Sequence, residues 1–185
     1  MNDIMSDLTK VSARLSDDSF LCNKGLSNEV GIHVFCYDPQ YELTVRAYFE
    51  TIKKKTDVPY HLIEADLYKI FLKICEDKRI LKSIDAMEER KGKDILLEQL
   101  RKVATPEAFV EKMKYEPHKK GDVLLITGVG KVYPFMRSHT ILDNIQHIFS
   151  DIPILMLYPG TFNGQDLDLF GKFLDGHYYR AFNLL

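Results

Sequence analysis

No run of about 18 apolar residues occurs anywhere in the 185-residue chain, and the first ten residues, MNDIMSDLTK, are polar and acidic with no apolar segment among them. These absences predict a protein that is neither exported nor membrane-spanning, and they place it in the cytoplasm. There is also no excess of either charge: 25 basic and 27 acidic residues leave a formal net charge of -2, and the pI is near 6.3. No global field would recruit nucleic acid or an anionic membrane, so any such binding must be local. Three cysteines, Cys22, Cys36 and Cys75, are an odd number without CxxC spacing, which argues against both a disulfide framework and a zinc site. The six histidines, His33, His61, His118, His139, His147 and His177, show no metal-ligand rhythm. Internal repeats and low-complexity linkers are missing as well.

What is present is a core-forming chain of 45% apolar residues, enough for a single domain over residues 1–185. Ile4, Leu8, Val11 and Leu15 form the stripe of a short amphipathic helix. A loop anchored by Phe20 and Leu21 follows over Ser16 to Glu29, so residues 1–30 read as a helix and loop ahead of the main fold. Gly31 to Tyr37 reads as a strand, with Asp38 as N-cap and Pro39 as the first position of a helix whose inner face carries Tyr41, Val45, Tyr48, Phe49 and Ile52. His61 to Ala65 is a second strand and Asp66 a second cap. Residues 78–120 stay helical, with a break at Gly92 and a new start at Thr105-Pro106, and read as a helical insert polar on its outside. Val123 to Thr127 and Ile152 to Tyr158 are the third and fourth strands, and Tyr179 to Leu184 is a candidate fifth.

Strands alternating with helices, without a tight hairpin signal, predict an α/β fold: a mainly parallel four- to five-stranded sheet with helices on both faces. Its loops after the strands then share one edge, where ligands of such folds bind. The Thr127 to Arg137 and Pro159 to Asp166 loops lie there.

The first of these loops carries Gly128, Gly130 and Lys131, which invites comparison with a phosphate cradle, where glycines let backbone N–H groups approach an anion. The Walker A pattern fails: Leu125 stands where its first glycine belongs, Val132 where its Ser or Thr belongs, and Tyr133-Pro134 interrupts a helix beginning there. A weaker anion site remains open, because Ser138 or Thr140 can cap a helix with Arg137 and His139 at its positive end. The competing reading is internal pairing of Arg137 and Lys131 with Asp143, Asp166, Asp168 or Asp175. Ser138-His139 is no nucleophile and base pair, because adjacent residues on a helix start point apart. Asp66, Asp122 and Asp166 near strand ends are accounted for by capping and turns. No catalytic, metal or cofactor-binding constellation is predicted. Two local basic clusters, Lys53 to Lys55 and Lys119 with Lys120, are candidates for DNA contact or for ordinary solvated ends.

The blocks TGVGKVYP, RSHTIL and YPG through NGQ and LFG to YYRAF, together with GLSNEVGIHVFCYDP and IEADLYKIFLKI upstream, resemble the BrxB family, the small subunit of bacteriophage exclusion (BREX) systems. The resemblance covers nearly the whole chain and is faintest over Lys78 to Lys120. It implies a non-catalytic scaffold or adaptor in a phage-defence complex that methylates host DNA, with other BREX subunits as partners, the phosphatase-like PglZ foremost. DNA association would then be indirect, through the complex. By fold analogy, the order of strands also suggests a degenerate P-loop-like core, in which the first strand-to-helix junction, Tyr37-Asp38-Pro39-Gln40, has no glycine-rich cradle. Two alternatives stay open: a nucleotide- or phosphate-binding regulatory subunit using Gly128, Gly130, Lys131, Arg137 and His139, and a subunit that contacts DNA directly.

Overall fold

In the computed structural model, residues 3–23, 31–174 and 181–185 are described. Helix α1 (Ile4–Leu15) starts at Asp3, whose carboxylate accepts from the N–H of Met5, and buries Leu8, Val11 and Leu15. A one-turn helix, α2 (Asp18–Leu21), replaces the start of the expected loop, because the Asp17 carboxylate accepts from the Ser19 N–H and caps it. The remainder of that loop, residues 24–30, lies outside the described residues. Strand β1 (Ile32–Tyr37) runs into Asp38, which accepts from Gln40 N–H at 2.9 Å, and a 3₁₀ turn at Pro39–Tyr41 opens α3 (Glu42–Ile52). Strand β2 (His61–Asp66) ends on the expected cap: the Asp66 carboxylate takes the N–H groups of Tyr68 and Lys69 at 3.0 and 3.1 Å and starts α4 (Leu67–Asp77). Helices α5 (Ile84–Lys91), α6 (Lys93–Val103) and α7 (Pro106–Met113) form the middle of the chain. Gly92, at φ 79°, separates the first two, and Thr105 caps the third through the Ala108 N–H.

Strand β3 (Asp122–Thr127) leads through α8 (Val129–Val132) to α9 (Ser138–Ile145). Neither Ser138 nor Thr140 caps α9 as expected. Arg137 holds the cap position with extended backbone and no side-chain cap bond, and Ser138 is the buried first residue of the helix. Strand β4 (Ile154–Phe162) starts two residues later and ends four residues later than the expected Ile152 to Tyr158, and folds back into β5 (Leu167–Leu169) and β6 (Phe173–Leu174). The chain returns to the sheet as β7 (Phe182–Asn183), within the candidate fifth strand; residues 179 and 180 of that candidate lie outside the described residues.

The order is β2-β3-β4-β1-β7, parallel at every junction, with β5 and β6 added antiparallel beyond β4, so the described sheet has seven strands rather than four to five. The surplus includes a hairpin for which the sequence carries no tight-turn signal. Phe162 pairs with Leu167 across a four-residue turn in which the Asn163 side chain accepts from Gln165 and Asp166 N–H, and Gly164 takes φ 92°.

Period-two alternation along the strands splits the core. Leu124, Ile126, Ile154 and Met156 face one side, against Phe71, Leu100, Phe109 and Ile141 of α4 to α9. Val123, Leu125, Leu155 and Leu157 face the other, against Leu8, Val11, Val45 and Phe49 of α1 and α3. Helices thus cover both faces, and right-handed crossovers collect the β1, β2, β3 and β4 exits on one edge.

His33 of β1 sits 4.8 Å from the Phe20 ring and 5.8 Å from that of Phe182, almost wholly buried. Burial, helped by the Arg14 guanidinium, lowers its imidazole pKa from 6.5 to about 4. Between those values the unfolded chain binds a proton that the native state refuses, so stability falls as the pH drops through that window. Urea denaturation should lose on the order of 3 kcal/mol from this group between pH 6.5 and 4. His33→Phe should remove that part of the slope; an unchanged slope would refute the assignment.

Candidate functional site

The loop after β3 is built against two neighbours. Thr127 donates its hydroxyl to Glu64 of β2 at 2.9 Å. Gly128 then takes a left-handed conformation, φ 74°, in which a Cβ would lie 2.6 Å from the Asp66 carboxylate and 3.2 Å from the Tyr68 nitrogen. A Cβ on Gly130 would lie 2.7 Å from the Phe170 ring. Both glycines therefore permit close packing, the first on the capped start of α4 and the second on the residue that follows β5. The amides of the loop are also engaged: Lys131 and Val132 donate to Gly128 O, and Tyr133 to Val129 O. Three N–H groups that a cradle would aim at a phosphate are bonded within the loop itself.

The remaining candidates surround this turn without converging. Lys131 is exposed and makes no ion pair with a described residue, so the expected internal pairing is not found for it there. Asp175 lies outside the described residues. Arg137 is exposed and lines a cavity of about 20 Å³ with Tyr133, Met136, Tyr158 and Phe173, room for one water. Gly128, Gly130, Lys131 and His139 do not line it, and His139 is half-buried on the first turn of α9. Tyr133 and Phe173 close the outside of the turn with rings 4.9 Å apart, and Phe173 is 44% exposed.

A larger groove, about 460 Å³, opens where β1 and β4 leave the sheet. Tyr37, Asp38 and Tyr41 come to it from the first strand-to-helix junction, Gly160 and Thr161 from β4, and Asp7 from α1. In an open parallel sheet this is the edge at which ligands bind. Its charged lining is acidic. Asp38 is held by its cap bond and Asp7 by Lys10 at 2.8 Å. Cys36 also reaches the groove, but burial pushes its thiol up to about 12, which keeps it protonated and a poor nucleophile. The Tyr37 hydroxyl donates to Glu42 at 2.6 Å, and burial together with that carboxylate raises its pKa. This groove suits a cationic or hydrogen-bonding partner and repels phosphate. The sequence reading placed Asp38 correctly as a cap but missed the groove, because Asp7 and Gly160 reach it from distant parts of the chain.

At the opposite edge, buried Asp122 accepts from the Tyr115 hydroxyl at 3.0 Å and from Lys119 N–H at 2.9 Å, with His61 Nδ1 at 3.4 Å. Asp122 thus anchors the chain entering β3, and Asp166 belongs to the β4–β5 turn. Among the described residues no group of three or more His, Cys, Asp or Glu could hold a metal ion. Lys53 is bonded to Glu50 and Glu64, whereas Lys54, Lys55, Lys119 and Lys120 are exposed. No described helix is long and apolar enough to cross a membrane.

Gly130→Ala should destabilise the fold by about 1–3 kcal/mol in urea denaturation. Pairing it with Phe170→Ala should cost less than the two single changes added together; strict additivity would mean that the two residues do not touch.

The family model described as "BREX protein BrxB" matches residues 63–184. A relative of that name from Bacillus cereus (strain H3081.97) is 39% identical over 190 residues, spanning 100% of this chain and 99% of its own length. Another from Escherichia coli O9:H4 (strain HS) is 26% identical over 179 residues, spanning 96% and 90%. No solved structure matches the chain.

Proposed function

Because the chain belongs to the BrxB family of BREX proteins, we propose that it is a non-catalytic assembly or adaptor subunit of a phage-defence complex in the cytoplasm. Its work would be to hold other BREX subunits together, the phosphatase-like PglZ foremost, and so support host DNA methylation and phage restriction. One observation carries this reading: the loop where an α/β enzyme would bind its substrate is packed and internally bonded, with Phe170 filling the space beside Gly130. Lys131 and Arg137, both exposed, are then contacts for carboxylates of a partner, and Gly128 and Gly130 keep the loop in shape. The chain acts as a single domain in this reading, with residues 78–120 as a helical insert whose Leu100 and Phe109 join the core.

The strand order β7-β1-β4-β3-β2, with β1 inside the sheet between β7 and β4, supports descent from a P-loop-like core by analogy. At the junction after β1, where such a core cradles phosphate, this chain has Asp38 and Pro39. A nucleotide there would meet the Asp38 and Asp7 carboxylates, which favours the adaptor reading over the regulatory one. DNA is reached through the complex.

Co-expression with the phosphatase-like and methyltransferase subunits, followed by size-exclusion chromatography, tests the proposal. The chain should co-elute with the phosphatase-like subunit, and Lys131→Glu with Arg137→Glu should weaken that association at least tenfold, ~1.4 kcal/mol. Elution apart from every BREX subunit would overturn it. In a thermal-shift screen, ATP and GTP should leave the melting temperature unchanged, whereas a nucleotide at 100 times its Kd would add about 2.7 kcal/mol.

A further inference from the structure

Strand β2 closes the sheet on one side, and its outer edge has no strand partner among the described residues. Its geometry shows which groups are left over. His61 N–H points inward to Gly121 O, so the alternation of a parallel ladder turns Ile63 and Ala65 inward too and leaves the N–H and C=O groups of Leu62 and Glu64 pointing outward. Beside this edge, between β2, α4 and α7, runs a groove of about 300 Å³. Ile63, Ile70 and Met113 form its apolar floor, and Lys69, Lys73 and Lys112 stand along its rim.

We propose that the β2 edge is a docking site for an extended, acidic segment of a partner protein, added to the sheet as a further strand. The backbone groups of Leu62 and Glu64 call for an extended chain, because only a strand presents N–H and C=O groups at matching intervals. Alternate side chains of that strand fall on the groove, where the floor takes apolar groups and the rim takes carboxylates. The two carboxylates that line the groove are already engaged: Glu64 by Thr127 and Lys53, and Asp66 by the Tyr68 and Lys69 N–H groups. The rim lysines hold only exchangeable partners. Lys73 bonds Glu76, Lys112 bonds Asp77, and Lys69 lies 3.7 Å from Asp66, with the Lys69 and Lys73 side chains 70% and 57% exposed. A second copy of the chain is a poorer occupant, since antiparallel β2 to β2 pairing would bring two lysine rims together.

The inference rests on the adaptor reading and adds to it a surface and a partner chemistry, without naming the subunit. Amide hydrogen exchange on the isolated protein, followed by NMR, tests it with three peptides: alternating glutamate and valine, alternating lysine and valine, and the acidic peptide with a central proline. Alone, the Leu62 and Glu64 amides should exchange roughly tenfold or more faster than those of Ile63 and Ala65. The acidic peptide should slow Leu62 and Glu64 selectively, and the lysine and proline peptides should not. Combined Lys69→Glu, Lys73→Glu and Lys112→Glu, which alter partly or fully exposed side chains, should reverse the preference in favour of the lysine peptide. Equal protection of all four amides in the free protein, indifference to peptide charge, or a dimer seen by sedimentation and abolished by the lysine changes would each overturn the proposal. Co-elution with the phosphatase-like subunit that survives such a failure would leave the adaptor reading standing and remove this surface alone.

Discussion

Strand β3 sets the terms for the rest of the molecule: all six of its residues are buried, from Asp122 to Thr127. Helices must cover it on both faces and strands must pair it on both sides, because a buried backbone group without a partner costs as much as a lost hydrogen bond. β2 and β4 supply the pairing, while α1 and α3 on one face and α4, α7 and α9 on the other supply the cover. Even the one charged residue in the strand obeys the constraint, since Asp122 is satisfied by Tyr115 and Lys119. Where β3 emerges, the chain has no slack, and Gly128 turns at once against the cap of α4.

That tightness bears on what the protein does. In many parallel α/β folds the carboxyl edge is left open for a ligand. Here the β4–β5 hairpin and the residues after it lie across the β3 and β4 exits, and Phe170 occupies the space beside Gly130. The opening that remains, between β1, β4 and α1, carries carboxylates. Among the described residues this edge consists of packed loops, exposed aromatic and basic side chains and an acidic groove, in a chain that belongs to the family of the BREX protein BrxB.

Most of the architecture was legible in the sequence. The four long strands, the caps at Asp38, Asp66 and Thr105, and the break at Gly92 all follow from local chemistry that the fold leaves intact. What escaped depended on short or distant elements. A three-residue strand such as β5 is too brief to show a period, and its turn is made by Asn163 bonding its own neighbours rather than by a two-residue hairpin. Asp17 capping a single helical turn is equally invisible to periodicity. The place of the candidate site was legible, because strand order puts the Gly128 to Arg137 loop at the carboxyl edge. The purpose of its glycines was not, since the atoms that demand them belong to Asp66 and Phe170.

Strand β4 belongs to two arrangements at once. Its first residues pair in parallel with β1 and β3, and its last three pair antiparallel with β5, with no break between them. The hairpin is held down by the Phe170 N–H bonded to Pro159 O and by Leu167 and Leu169 buried in the core, so lifting it would break that bond and expose both leucines. The carboxyl edge is in this sense a preorganised template. A partner meeting it there finds a surface whose conformational entropy was already lost on folding, and the ordering cost of association falls on the partner's side.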